Sequence, residues 1–364
     1  MSAATAQHYG VSGNGSSSSS CRHTYMTSSH ILTQLTNAHS LSNNHAAHTN
    51  SNNDGDSIKP RADQQEIFAN PAIQTATRCC IFIKEVSRML GFPARTASTA
   101  QLLVYRTYIY RPTMRIGSTD MATACLFVAS KMEETIKKMR DIAAHSYILS
   151  SKPQSTDPKQ VPSAVIDKMR PNILNAEQLI LEAIGYDFRT SHTHLLFVKL
   201  AKMAGLANKS SIAISGWVIL SDAYFTTLPV QYPSAVISAG SLCLAWCVAT
   251  EDPKDTCVFI RRLFTSNDAS GNINYTNGRS ASPKTESKRP PTLALAKDKE
   301  WWVHFGVSTN DIQGFVKQMV DFYLLFFNST IATTEYLERH KYGIPSKDMA
   351  QKIAQWRMKL SDTL

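Results

Sequence analysis

The chain has 364 residues, of which 43% are hydrophobic and 18% are charged, and its formal net charge is +10. This length and apolar content are typical of about two globular domains with real cores. The positive charge favours acidic or phosphorylated partners. However, no dense Lys/Arg run, aromatic RNA-binding pattern or zinc-finger spacing is present, so we expect no specific nucleic-acid ligand.

Several other classes of function are excluded by missing patterns. The seven cysteines include no C-x-x-C pair, which indicates reduced core thiols in an intracellular protein. The longest apolar run, 235–249, is too short to cross a bilayer, so we expect no membrane contact. No phosphate-binding loop, nucleophile elbow or zinc-protease motif occurs, and the pair His192 and His194 lacks a third ligand at useful spacing. We therefore expect no catalytic residue, metal or cofactor.

The first 58 residues are rich in Ser, Asn, Thr and His, and they include the low-complexity run Ser16–Ser20. A segment with so few large apolar residues cannot bury enough surface to offset the entropy lost on folding. We predict that residues 1–58 are a disordered N-terminal arm.

Helical periodicity begins near Asn70 and continues to about residue 190. Five helices are predicted, at Ala72–Leu90, Ser98–Tyr110, from Gly117–Ser118, at Met139–Leu149 and at Pro171–Ile184. Gly91 and Pro93 mark the end of the first helix, because glycine accepts the left-handed cap and proline cannot continue a helix. Five such helices with short connections predict one all-α domain over 70–190.

A second series of helical patterns follows and predicts a second all-α domain over 191–330. Its helices are predicted at Thr193–Ala204, Ser211–Phe225, Pro233–Thr250 and Asp311–Phe327. The polar interval at about 265–297 interrupts this series and is predicted to be an inserted loop. The tail, 331–364, carries one predicted short helix at about Ser346–Leu360, with Met349, Ile353, Trp356 and Leu360 on one stripe.

The third predicted helix differs from the others, because its first three turns have almost no polar face. Such a helix belongs in the middle of a bundle. The pattern then changes abruptly at Lys131, Glu133 and Glu134, so a buried helix emerges with fixed charges at one end. Glu133 and Glu134 are adjacent and diverge by about 100° on a helix, so they cannot act together as a catalytic acid and base.

Two segments resemble a known family. Ala124–Glu134 is similar to the third helix of the cyclin box, and Asn175–Phe188 is similar to its fifth helix. The resemblance implies an all-α fold of tandem five-helix cyclin-box domains, in which Lys131, assisted by Glu177, contacts the backbone of a partner kinase. The other residues implied at the kinase-binding surface are Glu134, Val128, Leu181, Tyr186 and Phe188.

The branch of the family is indicated by further segments. Cell-cycle cyclins carry the docking pattern M-R-x-x-L-x-x-W on the first helix; in Thr77–Lys84 only Arg78 is retained, and Lys84 replaces the tryptophan. Phe92–Thr96, Glu134–Lys138, Asp141–Ile142, Trp217–Ala223 and Leu228–Pro233 instead resemble the β-subunit family of fungal CTD kinase I. That resemblance implies a cyclin-dependent kinase catalytic subunit and a third, γ subunit as partners, and the C-terminal domain of RNA polymerase II as substrate.

The resemblance also implies a nuclear protein, and the basic segment Lys284–Arg289 is a weak import signal. Lys137, Lys138 and Arg140 follow the kinase-binding helix and are either a contact for an acidic polymerase tail or a solvated basic face. Three alternatives stay open: a cyclin K, T or L type subunit, a DNA-binding general transcription factor of the same fold, or a scaffold without a kinase. The second usually carries a zinc ribbon, for which this chain has no C-x-x-C motif.

Overall fold

The computed structural model describes residues 25–31, 33–35, 67–111, 116–151, 157–204, 206, 211–249, 301–329, 331–340 and 342–362. All regular secondary structure in these ranges is helical, so the predicted all-α class is confirmed. The insertion predicted at about 265–297 and the basic segment Lys284–Arg289 lie outside the described residues.

Five long helices form the first bundle. They are α1 (Pro71–Leu90), α2 (Ala94–Tyr110), α3 (Ser118–Met132), α4 (Met139–Ser151) and α5 (Ser163–Ala183). Helix α3 contacts the other four, and its small residues Ala122, Ala124 and Ala129 are almost fully buried. The apolar circumference of α3 is therefore covered on all sides, as its sequence predicts.

The ends of α1 follow from local chemistry. The Asn70 side chain accepts a hydrogen bond from the backbone N–H of Ala72, and Gly91 takes a left-handed conformation with φ of 66°. Gly91 then donates its N–H to the carbonyl of Arg88. Pro93 lies just before α2, so α2 begins at Ala94, four residues earlier than predicted.

Helix α5 corrects a second predicted boundary. Its predicted start was Pro171, but α5 begins at Ser163, and Pro171 lies inside it on the solvent-exposed side. The buried residues Ile166 and Ile173 are seven positions apart, which is two helical turns, so the apolar face continues across the proline. A solvent-facing proline loses one backbone hydrogen bond, but this packing holds the helix together.

A second bundle follows the first. Its helices are α6 (Thr193–Met203), α7 (Ser211–Ala223), the single turn α8 (Leu228–Gln231), α9 (Ser234–Ala249) and α10 (Thr309–Phe326). Helix α9 contacts α6, α7, α8 and α10, and it is buried along most of its length. It therefore occupies the central position that α3 has in the first bundle. A short 3-10 helix, Trp301–Phe305, precedes α10.

The prediction of a disordered arm over residues 1–58 is wrong for residues 25–31 and 33–35, and the rest of the arm lies outside the described residues. Helical turns occur at 28–31 and 33–35, and the side chains of Met26, Ile31 and Leu35 are buried. The backbone N–H of Met26 donates to the carbonyl of Val230 at 3.1 Å, which fastens this segment to α8. The arm as a whole is polar, but this short stretch is locally as apolar as the rest of the chain, with Tyr25, Met26, Ile31 and Leu35 among its residues, and averaging over 58 residues conceals that signal.

The C-terminal tail contains two helices, α11 (Thr334–Arg339) and α12 (Lys347–Asp362). Helix α12 lies close to the predicted Ser346–Leu360, and Met349, Ile353 and Trp356 are buried against the second bundle as their spacing predicts. Helix α11 was not predicted from the sequence. Its six residues are too short for apolar periodicity to be visible.

In the described ranges, no group of three or more His, Cys, Asp or Glu residues is placed to hold a metal ion. None of the described helices combines the length and apolar character that crossing a bilayer requires. The described cysteines are buried, and burial raises the pKa of the Cys79 thiol to about 12.

Candidate functional site

The end of α3 is shaped by a left-handed turn. Glu134 has φ of 54°, a conformation that non-glycine residues rarely adopt, and its side chain is exposed. The backbone N–H of Thr135 donates to the carbonyl of Ser130 at 2.9 Å and closes the helix end. The turn stops α3 immediately after Lys131 and Met132, so the charged residues lie at a fixed position on the surface.

Lys131 forms an ion pair across two helices. Its Nζ lies 2.6 Å from Oε1 of Glu177 on α5 and 3.9 Å from the centre of the Phe127 ring. The lysine side chain is 46% exposed and that of Glu177 is 16% exposed. Sequence resemblance pairs these two residues in one site, and the structure places them in direct contact. A pair this open to solvent adds little stability, so its main effect is to orient the ammonium group.

Two exposed aromatic residues follow α5. Gly185 and Tyr186 are both left-handed, with φ of 59° and 56°, and this turn leaves Tyr186 59% exposed and Phe188 49% exposed. Leu181 on α5 precedes them and is partly buried. Its carbonyl accepts a hydrogen bond from the backbone N–H of Tyr186 at 3.0 Å. Large aromatic side chains exposed in this way are typical of protein-binding surfaces.

An ion pair that the sequence does not reveal braces the same turn. Arg189 donates from Nε and from a terminal nitrogen to the two carboxylate oxygens of Asp187, at 2.8 and 2.7 Å. These hydrogen bonds hold the pKa of the Asp187 carboxyl well below its usual range. This bidentate ion pair, the Asp187–Arg189 fork, restrains the backbone that carries Tyr186 and Phe188.

Val128 does not lie on this surface. Its side chain is only 3% exposed, and it belongs to the core of the first bundle. The predicted kinase-contact role of Val128 is therefore corrected: Val128 faces the neighbouring helices, whereas the adjacent Phe127 is only partly buried and lies against Lys131. Val128 supports the site from below, and the exposed apolar surface comes from Tyr186 and Phe188.

Glu133 and Glu134 have opposite environments although they are adjacent. Glu133 is 7% exposed, and Thr99 donates its hydroxyl to the Oε1 atom at 2.7 Å. Arg95 and His192 lie 3.8 and 3.7 Å from its other carboxylate oxygen. Glu133 therefore ties α2 and the segment before α6 to the end of α3. Adjacent residues at a helix end point in different directions, so the sequence predicts that the two carboxylates are separated. Packing alone decides that the carboxylate of Glu133 is the buried one.

The basic group follows on the next loop. Lys137 and Lys138 lie between α3 and α4, Arg140 lies in the first turn of α4, and all three side chains are exposed. Ile136 beside them is 76% exposed. The basic group is thus continuous along the chain with Glu134 and accessible to a partner.

Lys84, which replaces the tryptophan of the docking pattern, has a different role. Its Nζ lies 3.2 Å from Oδ1 of Asp222 on α7 and 4.7 Å from the centre of the Phe225 ring. Asp222 is 1% exposed and also accepts hydrogen bonds from the Tyr323 hydroxyl and the Ser346 N–H. The position therefore joins the two bundles.

The first bundle therefore has a buried central helix whose end presents Lys131 beside Glu177, with Tyr186 and Phe188 exposed nearby. Comparison with protein families points to a known class with this arrangement. Residues 50–189 match the family described as Cyclin, N-terminal domain. The predicted resemblance to the cyclin family is confirmed over these residues.

Individual relatives indicate the transcription branch. The chain is 38% identical over 165 residues to CTD kinase subunit beta of Schizosaccharomyces pombe, covering 45% of this chain and 49% of the relative. It is 30% identical over 167 residues to Cyclin-T1-4 of Arabidopsis thaliana, covering 46% and 31%, and 27% identical over 170 residues to human Cyclin-K, covering 45% and 27%. The matches span half or less of the length of these relatives.

A solved structure shows the same fold over a longer range. A chain in the crystal structure of the yeast RNA Pol II CTD kinase CTDK-1 complex aligns with a TM-score of 0.53 and 17% identity. The alignment covers 92% of this chain and 82% of the other. At this identity the likeness concerns the fold, and it extends beyond the region matched in sequence.

Proposed function

We propose that this chain is a cyclin regulatory subunit that binds and activates a cyclin-dependent kinase, and that it has no catalytic activity of its own. The observation that carries the proposal is the contact of Lys131 with Glu177 at the end of a buried helix, beside the exposed Tyr186 and Phe188. Similarity to CTD kinase subunit beta and to cyclins T and K supports the same role.

The Lys131 ammonium group is suited to hydrogen bonding with the backbone of a partner. An ammonium group has three N–H donors, and Glu177 accepts one from Lys131. The remaining donors can reach carbonyl groups of a kinase, and charge-assisted bonds of this kind are stronger than neutral ones. Glu177 holds the ammonium group in place, so less side-chain freedom is lost when the partner binds. Glu134, exposed at the helix end, adds an acceptor for a kinase donor.

The aromatic residues supply apolar area around the charges. Tyr186 and Phe188 are exposed in the free chain, and the Asp187–Arg189 fork restrains the turn that carries them. Rigid aromatic anchors dominate the energetics of many interfaces, because they bury large areas at a small entropy cost. We therefore expect Tyr186 to be a main contributor to kinase affinity, with Leu181 forming the floor beneath it.

Activation follows from general kinase chemistry. A protein kinase positions ATP phosphates only when a strand lysine pairs with a glutamate on a mobile helix. A rigid surface that binds only the inward position of that helix shifts the kinase population to the active state. The α3–α5 surface is rigid enough for this role, since both helices are packed in the first bundle.

The proposed substrate of the complex is the heptad-repeat tail of RNA polymerase II. The name of the CTD kinase relative supports this choice, as does the exposed basic group of Lys137, Lys138 and Arg140. Positive side chains attract a tail that is already phosphorylated. We also propose a third, γ subunit as a partner and a nuclear location, both implied by the resemblance of the sequence segments to the CTD kinase I family.

Reconstitution with purified components tests the proposal. The full chain should stimulate phosphorylation of a heptad-repeat peptide when it is titrated into a CTD kinase catalytic subunit. Affinity purification of the tagged chain from its native cell should recover the same catalytic subunit. Recovery of a different transcriptional kinase would favour the cyclin K, T or L alternative, and absence of any kinase together with no stimulation would refute the proposal.

A further inference from the structure

Glu133 is a residue on which three segments of the chain converge, at the edge of the proposed kinase-binding surface. Its Oε1 atom accepts hydrogen bonds from the hydroxyls of Thr99, at 2.7 Å, and Thr190, at 3.4 Å. Its Oε2 atom lies 3.8 Å from Nε of Arg95 and 3.7 Å from Nε2 of His192. Each carboxylate oxygen therefore serves two partners, which is about the capacity of a carboxylate group.

Two of these partners belong to the non-helical stretch 189–192, which joins the two bundles and which we call the linker. Its side chains alternate between the bundles. Thr190 and His192 meet Glu133 in the first bundle, whereas Ser191 between them accepts a hydrogen bond from a serine hydroxyl on α9 of the second bundle. The carboxylate of Glu133 therefore anchors the linker to the first bundle.

Glu133 is connected by short stretches of backbone to both halves of the kinase-binding surface. Lys131, in the charged half, precedes Glu133 by two residues at the end of α3. Phe188, in the aromatic half, precedes Thr190 by two residues, and two residues of chain span at most about 7 Å. Holding Thr190 on the carboxylate therefore restrains where Phe188, and the turn that carries it, can lie relative to Lys131.

The start of α2 supports Glu133 from the other side. Arg95 donates a second hydrogen bond to the backbone carbonyl of Glu133, at 3.4 Å. The hydroxyls of Thr96 and Thr135 are hydrogen-bonded at 2.9 Å, so both residues that flank the left-handed Glu134 are tied to α2. Glu133 is itself only 7% exposed, so a partner protein cannot reach its carboxylate directly. Any effect of Glu133 on recognition must act through the residues that it holds.

We propose that Glu133 is a positioning residue for kinase binding: its carboxylate holds the turn of Tyr186 and Phe188 at a fixed separation from Lys131. The inference rests on the proposed function, because it concerns the same surface. Binding groups that are already in place lose less conformational freedom when a partner binds. Without the carboxylate, both halves of the surface remain present but move independently, so kinase affinity falls although no contact residue has changed.

Hydrogen exchange of the full chain tests the positioning without a kinase. In Glu133→Ala, amide exchange in peptides spanning 186–192 should accelerate at least about threefold, while peptides from the α3 core, 121–129, stay unchanged. Thr190→Val removes one hydroxyl and keeps the shape of the side chain, and it should accelerate the same peptides. Thr107→Val is the matched control, because the buried Thr107 hydroxyl donates within its own helix, and it should exchange as wild type. If Glu133→Ala also accelerates exchange in the α3 core, Thr190→Val decides the result.

A double-mutant cycle with the CTD kinase catalytic subunit tests the effect on recognition. Thr190→Val should weaken kinase binding, and Thr107→Val should not. Tyr186→Ala should weaken binding at least about threefold less in the Thr190→Val background than in the wild type, because the ring is no longer held in place. A residue that acts on folding alone would leave the two effects independent.

Two outcomes would overturn the positioning role. One is unchanged exchange over 186–192 in both Glu133→Ala and Thr190→Val. The other is a wild-type chain that binds the kinase while the effects of Thr190→Val and Tyr186→Ala are additive. A wild-type chain that binds no kinase would refute the proposed function instead, and the exchange measurement would still decide whether Glu133 positions the turn.

Discussion

Within the part of the chain that the structure describes, two lysine–carboxylate pairs join helices, and they differ in the surroundings of the carboxylate. Lys131 and Glu177 are 2.6 Å apart, with side chains 46% and 16% exposed. Lys84 and Asp222 are 3.2 Å apart, with side chains 30% and 1% exposed. The shorter pair is therefore the more exposed one. Distance alone does not rank ion pairs, because desolvation and additional hydrogen bonds decide their energetic effect.

The additional partners explain the difference in role. Asp222 accepts hydrogen bonds from the Tyr323 hydroxyl and the Ser346 N–H, so its removal would leave buried donors unpaired. Glu177 remains accessible to water, which can replace it as a partner of Lys131. The buried pair thus holds the two bundles and the start of α12 together, whereas the exposed pair is available for recognition.

The largest effect on stability is expected for Asp222→Ala. The Tyr323 hydroxyl and the Ser346 N–H lose their acceptor, and Lys84 loses its partner, so the free energy of unfolding should fall by about 3–5 kcal/mol in urea titrations. Asp348→Ala, whose side chain is 75% exposed in a surface pair with Lys352, should lose less than about 1 kcal/mol. Equal losses for the two variants would remove the distinction between the buried and exposed pairs.

The double variant Lys131→Ala, Glu177→Ala should show the opposite behaviour. Kinase binding should weaken by about 2–5 kcal/mol, because charged groups become buried at the interface. Thermal unfolding should change little. The matched control is Gln178→Ala, Glu182→Ala, an exposed hydrogen-bonded pair on the same helix. Full kinase activation by the first variant at limiting cyclin concentration would contradict the proposed surface.

The dependence of stability on pH tests the surroundings of the buried pair, because the buried His194 lies near Lys84. Burial, with Lys84 nearby, lowers the pKa of His194 to about 4, from 6.5. The unfolded chain therefore binds this proton first as the pH falls, and stability decreases from pH 7 towards pH 4. The loss at pH 5 should be about 1–2 kcal/mol. His194→Phe should flatten this part of the unfolding profile; a profile of unchanged slope would show that other groups cause it.

The smallest effect is expected at the exposed basic group. Reversal of Lys137, Lys138 and Arg140 to Glu should raise the KM for a pre-phosphorylated heptad peptide, with each charge contributing about 0.3–1 kcal/mol. The KM for the unmodified peptide should rise less, and high salt should abolish the difference. Equal effects on both peptides would leave the basic group as a solvated face without a substrate role.

The sequence by itself determined the helical architecture and the central position of α3. Apolar periodicity and the Gly91–Pro93 stop located the long helices, because these signals are local. The pairing of Lys131 with Glu177 was reached through resemblance of two segments to one family. No local rule connects residues so far apart in the chain, and their contact depends on α3 packing against α5.

Tertiary structure alone decided the remaining features, because each depends on which surfaces meet. Val128 and Glu133 are buried by neighbouring helices, whereas the adjacent Glu134 remains exposed. Residues 25–31 and 33–35 dock beside α8, although they belong to an arm that is polar as a whole. The segment between α11 and α12 lies against α1, because Gly343 permits close approach to Ile81 and because Asp222, on a distant helix, accepts the Ser346 N–H. Sequence periodicity describes one element at a time, and these contacts arise only between elements.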